Sequence, residues 1–122
     1  MALYNYYYEM DSSFGCTTIV SRDKNNQIIF GSNLDFDFAK DFSDLAYVAE
    51  YYVKGVHIYT AHSVYGLLGF LRGMKPGKFT IALNQKTILD NNLFTRIIQE
   101  NPTESIFLVR MILEEAQSFE EA

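Results

Sequence analysis

The stretch GCTTIVSRDKNNQIIFGSNLDFDF, Gly15 to Phe38, decides how the chain is read. Thr17 to Arg22 is rich in β-branched residues, Asp23 to Gln27 is polar with two asparagines, and an apolar run resumes from Gln27 to Phe30. Branched side chains suit a pleated strand and asparagine tolerates positive φ, so the pattern predicts a β-hairpin with its turn centred on Asn25-Asn26. Facing residues of an antiparallel pair have a constant sum of positions, about 51 for that centre. That register sets Cys16 opposite Asp35, with Thr18 and Val20 opposite Asn33 and Gly31. Asp37 then lies one step beyond the cysteine. Cys16 is the only cysteine in the chain, and the predicted ribbon hands it a carboxylate neighbour.

Outward from this ribbon, the aromatic segment Leu3 to Tyr8 suits a strand, broken by Asp11-Ser12-Ser13 and Gly15. Leu45 to Val53 and Val56 to Val64, joined at Lys54-Gly55, predict a second hairpin. Tyr65 to Gly77, with its glycines and Pro76 set among Leu, Phe and Met, reads as an apolar loop, and Lys78 to Leu83 as a further strand. Ile88 to Glu100 and Ser105 to Gln117 carry apolar residues at helical spacing, with Asn101-Pro102 between them. Ser118 to Glu121 matches a capping box, a helix start at which the sequence stops, and this predicts a segment of a longer protein. Antiparallel strands with one or two covering helices make the expected fold class α+β.

The 122 residues suffice for one modest domain, and 48% hydrophobic content is that of a packed protein rather than a disordered one. A formal charge of −5, with no basic run, argues against nucleic acid as a partner. A lone cysteine excludes an internal disulfide and any multi-cysteine metal site; no metal or cofactor is expected. No signal-peptide pattern, membrane-length apolar run or Asn-x-Ser/Thr site is present.

A single cysteine is ordinarily a small buried hydrophobe. Here Gly15 precedes it at the head of a strand, and cleavage of the Gly15–Cys16 bond would make Cys16 a chain terminus. Its own α-amine, of unperturbed pKa about 8, would then be the base that activates the thiol. Asp35 would orient that amine and stabilise the proton it gains. His57 and His62 are not needed in this scheme and read as ordinary surface or core residues.

CTTIVSRDKNNQIIFGSNLDF resembles the start of the mature catalytic subunit in the acid ceramidase and N-acylethanolamine acid amidase family. These are N-terminal nucleophile cysteine hydrolases related to penicillin V acylase and choloylglycine hydrolase. GFLRGMKPGKFTIALNQK is similar to the family's GxxxGxKPGxFxxxLNE, LVRMILEEAQSFEEA to its LTRxxLExxxSYEEA, and YNYYYEM resembles the strand before the family's cleavage point.

The resemblance implies a partial αββα sandwich in a single incomplete domain, 1–122. Residues 1–15 would end the pre-cleavage subunit and 16–122 begin the catalytic one. It implies Cys16 as nucleophile, Asp35 as the contact of the new amino terminus, and Asn84 and Gln85 as oxyanion candidates. Ser32 stands where the family has an arginine. Tyr65, Leu67, Leu68, Phe70, Leu71 and Met74 would either wall the acyl chain or pack into the core of the full protein, with Phe36 and Phe38 extending the same surface. The implied activity is hydrolysis of the N-acyl bond of a lipid amide, ceramide or an N-acylethanolamine, in the lysosome. The partners would be that lipid, the remainder of the protein, and a membrane surface from which the lipid is drawn. The alternative is a catalytically inactive, truncated or lipid-binding homologue.

Overall fold

The computed structural model describes residues 15–35, 40, 43–84, 99 and 103–122. The strand at Leu3 to Tyr8, the helix at Ile88 to Glu100 apart from Gln99, and Gln85, Phe36, Asp37 and Phe38 lie outside the described residues.

The first hairpin pairs β1 (Gly15–Arg22) with β2 (Ile28–Asp35) in antiparallel fashion. Its register differs by one residue from the expectation: Gly15 faces Asp35, Cys16 faces Leu34, Thr18 faces Ser32 and Val20 faces Phe30. The cause is the turn. Asp23 pairs with Gln27 through a 2.9 Å hydrogen bond from its N–H, which leaves Lys24, Asn25 and Asn26 as the loop. Asn26 takes the left-handed conformation at φ 68°. The Asp23 carboxylate accepts from the N–H groups of Asn25 and Gln27, each at 2.8 Å. A side chain that caps two loop amides, followed by a left-handed asparagine, stabilises a three-residue hairpin loop over the two-residue one. Because side chains alternate with period two, the single-residue slip moves Asp35 to the face opposite Cys16.

The second sheet runs β3 (Ala46–Val53), β4 (Val56–Val64), β5 (Arg72–Lys75) and β6 (Phe79–Ala82), each antiparallel to the next. Lys54 and Gly55, at φ 51° and 80°, make the tight primed turn between β3 and β4. β5 corrects the expectation that Tyr65 to Gly77 is all loop. It is four residues long with a glycine inside, which hides it from any periodicity. That glycine has a packing reason: a Cβ at Gly73 would run into the Leu113 side chain and sit 3.0 Å from the Thr60 carbonyl oxygen.

Leu113 belongs to helix α1 (Ser105–Glu115), two residues shorter at its end than expected because Ala116 is already extended. Ile106, Val109 and Leu113 form its buried stripe. Val109 and Leu113 pack with Tyr59, Ala61, Phe70 and Ala116 on one side of the second sheet. Lys75, also on that side, donates through Nζ to the Ala116 carbonyl at 2.7 Å, placing a cation against the carbonyl end of the helix dipole. Beyond the helix, the Glu121 N–H donates to Ser118 Oγ at 3.3 Å, as in a capping box. The Glu121 carboxylate accepts from Gln117 at 2.7 Å instead of from Ser118.

The ribbon β1–β2 touches the second sheet away from the helix through Phe30, which shares an open cavity with Thr60, His62 and Arg72. Leu34 packs against the buried cluster of Val64, Leu71 and Ile106. The described layers are therefore ribbon, sheet and helix, an α+β arrangement with the face of Cys16 turned inward.

Candidate active site

Cys16 is the second residue of β1 and is partly buried as a free thiol. Along β1 and β2 its face continues through Thr18, Ser32 and Leu34, all partly buried, whereas Thr17, Asn33 and Asp35 on the other face are exposed. The expected pairing of thiol with carboxylate side chain does not occur: the two side chains stand on opposite faces of the ribbon.

Asp35 is nonetheless tied to the main chain around Cys16. It faces Gly15, and a Cβ placed on Gly15 would lie 3.7 Å from the Asp35 Cβ. Its carboxylate oxygens lie 3.1 and 3.0 Å from Asn33 Nδ2, which donates to them. Asn33 Oδ1 in turn accepts from the Thr17 N–H at 3.0 Å. The Asn33 amide thus links the carboxylate to the peptide that follows Cys16. The sequence reading passed over Asn33 because it sought a partner for the thiol and not for the backbone.

On the inward face, the Thr18 hydroxyl donates to Asn84 Oδ1 at 3.0 Å and lies 3.4 Å from Ser32 Oγ. The oxyanion candidate Asn84 is therefore joined to the strand and the face that carry Cys16. With its oxygen occupied, its remaining polar group is the donor NH₂. Arg72 of β5 reaches the same neighbourhood and donates from Nη1 to the Ser32 carbonyl at 2.6 Å. No sequence signal singled out Arg72, since its contact spans 40 positions.

The expected acyl wall is divided. Phe70 and Leu71 are 2% and 7% exposed and belong to the two core clusters, so their side chains are committed to packing. Tyr65, Leu68 and Met74 are exposed. Met74 borders an open cavity of about 190 Å³ between ribbon and sheet, lined also by Phe30, Val48, Thr60, His62 and Arg72. His57 accepts or donates at 2.9 Å to the Thr60 hydroxyl. His62 is half-buried, and burial first, then the charge of Arg72, hold its pKa below the ordinary value near 6.5. Among the described residues no cluster of three or more His, Cys, Asp and Glu could hold a metal ion, and no helix is long and apolar enough to cross a membrane.

An antiparallel ribbon beside a helix-backed antiparallel sheet is the arrangement of a partial α+β sandwich. The solved structure of the Caenorhabditis elegans N-acylethanolamine-hydrolyzing acid amidase ortholog superposes with a TM-score of 0.73 at 22% identity, over 88% of this chain and 46% of that one. In sequence, acid ceramidase of Bos taurus is 26% identical over 136 residues, covering 98% of this chain and 34% of that protein. The acid amidase of Mus musculus is 31% identical over 115 residues, covering 92% and 31%. No protein-family model matches the chain. The chain is a homologue of acid ceramidases and N-acylethanolamine-hydrolyzing acid amidases, and it spans about one third of the length of these curated relatives.

Proposed function

We propose that the protein hydrolyses the amide bond of a lipid amide, ceramide or an N-acylethanolamine, with Cys16 as nucleophile after cleavage of the Gly15–Cys16 bond. The reading is supported most by the setting of Cys16: it follows Gly15 near the strand head and is partly buried on the same face as Thr18, whose hydroxyl donates to Asn84.

In this reading the freed α-amine takes the thiol proton as sulfur attacks the substrate carbonyl. Asn84, with the backbone N–H of Gln85, holds the developing oxyanion. Collapse gives a thioester and releases the amine product, and water then frees the fatty acid. The one-residue slip changes how Asp35 acts. The α-nitrogen is a main-chain atom in the plane of the ribbon, so a carboxylate anchored beside Gly15 can reach it from the face opposite the thiol. Asp35 then serves the amine alone, oriented by Asn33. A lysosomal setting and access to the lipid at a membrane surface belong to the same proposal.

A thiol-reactive N-acyl lipid analogue tests it. Labelling of Cys16 in the full-length protein, lost in Cys16→Ser, is the expected result; labelling elsewhere would overturn the reading. Ser32, in place of the arginine of the resembling motif, favours the second reading of a silent lipid-binding homologue. That homologue would bind the analogue reversibly and leave Cys16 unmodified.

A further inference from the structure

The side chain of Arg72 lies on the face of the second sheet away from the helix. On β5 its neighbours Gly73 and Lys75 face the helix, against Leu113 and the carbonyls of Glu114 and Ala116. Alternation sends Arg72 the other way, toward the ribbon. There Nη1 donates 2.6 Å to the main-chain oxygen of Ser32, while Nε is buried with no hydrogen-bond partner. No carboxylate meets Arg72 among the described residues, in contrast to Arg110, which pairs with Glu114 at 2.9 Å. Asp35, the nearest acid along β2, projects from the outer face. Among the described residues the one hydrogen-bond acceptor of Arg72 is a neutral carbonyl, so the guanidinium keeps its charge available to an anion nearby.

The register places Cys16 close by. Ser32 faces Thr18 and Cys16 faces Leu34, so Cys16 and Ser32 are diagonal neighbours on one face. Diagonal pairs have side chains about 7–8 Å apart, which puts the guanidinium on the order of 10 Å from the thiol, within a Debye length at ordinary salt. The ribbon face that carries Cys16 meets the rest of the fold: Leu34 packs against Val64, Leu71 and Ile106, and Phe30 of the same face shares a cavity with Arg72. Ser32 makes the approach feasible, because its short side chain leaves the β2 main chain open to a group arriving from β5. The lowered pKa of His62, to which Arg72 contributes, is a second sign that the charge acts within this gap.

We propose that Arg72 is a positioning residue for Cys16: it ties β2 to the second sheet through Ser32 and holds a fixed positive charge beside the nucleophile. At position 32 the resembling motif carries an arginine; in this chain the cation comes from the neighbouring sheet instead. The anion it faces is the one that forms on sulfur or on the attacked carbonyl. The inference rests on Cys16 as nucleophile, yet its test does not require the protein to cleave itself.

The test compares alkylation of Cys16 by iodoacetate and by neutral iodoacetamide in the uncleaved full-length precursor, located by peptide mass mapping. The ratio of the two rates cancels the thiolate fraction and reads local charge alone. In the unaltered protein the ratio falls as salt is raised. Arg72→Gln lowers it about two- to threefold at low salt and removes the salt response, the size expected for one charge across roughly 10 Å of partly aqueous medium. Arg72→Lys keeps most of the ratio. An unchanged ratio in Arg72→Gln overturns the proposal. So does a ratio that rises with salt in the unaltered protein, the sign that net negative charge alone would give, and this holds even if Arg72→Gln fails to fold. Absence of self-cleavage would sink the proposed function and leave this outcome readable.

Discussion

Asn33 joins the Thr17 amide to the Asp35 carboxylate, and both contacts are exposed. An exposed side-chain hydrogen bond contributes about 1 kcal/mol to stability, so Asn33→Ala should leave the fold nearly intact. If Asp35 orients the freed amine, the same change lets the carboxylate wander. Turnover of an N-acyl amide should then drop by about ten- to a hundredfold, measured as kcat with KM little altered. A loss confined to melting temperature would show that Asn33 is only a strand clip. His62 carries the second prediction at this scale. Its folded pKa is lowered, so the neutral ring is the form the fold prefers. Its stabilising contribution is complete above the unfolded value near 6.5 and is lost as pH falls through the lower folded value. Thermal unfolding followed across that interval should show a declining melting temperature that flattens in His62→Gln. An equal decline in both proteins would assign the acid sensitivity to other groups.

Both hairpins were legible from composition: β-branched and aromatic runs around Asn25-Asn26 and around Lys54-Gly55 leave little else for those segments to be. The register of the first was not, because two- and three-residue loops differ only in what the Asp23 side chain caps and in the left-handed placement of Asn26. Replacing Asn26 by Gly should stabilise the ribbon by up to about 1 kcal/mol, since glycine enters that conformation without a Cβ penalty. A destabilised variant in chemical denaturation would argue against this loop, and with it against the placement of Asp35. β5 escaped for another reason. A four-residue strand holding a glycine has no period to detect, and its justification, contact with Leu113, lies far along the sequence. Gly73→Ala should cost about 1–3 kcal/mol in an equilibrium melt, the range for an added methyl that must displace packed neighbours. A neutral substitution would mean that helix and sheet pack less closely than described.

At the scale of the molecule, Cys16 is partly buried on the ribbon face that also carries Thr18, Ser32 and Leu34. Thr18 and Asn84 lie on the same inward face and Arg72 reaches across the gap, while Asp35 is held on the far side of the ribbon. Cys16 and Asp35 are candidates from the predicted hairpin and Asn84 from the resemblance of its run; the structure joins Asn84 to Thr18, two residues from Cys16 on the same face. Sequence reading missed Arg72 because no local feature marks a side chain whose partner lies on another sheet. For Phe70 and Leu71 the sequence leaves acyl wall and core open, since an apolar loop residue announces burial without saying whether a lipid or the protein's own core covers it; in the described residues they pack in the core clusters. The account depends on Cys16 becoming a chain terminus. The direct measurement is the intact mass and amino-terminal sequence of the full-length protein after incubation at acidic pH. The account predicts a new amino terminus at Cys16 that Cys16→Ser fails to generate. A chain that stays joined through Gly15–Cys16 under those conditions, while remaining folded, would contradict it.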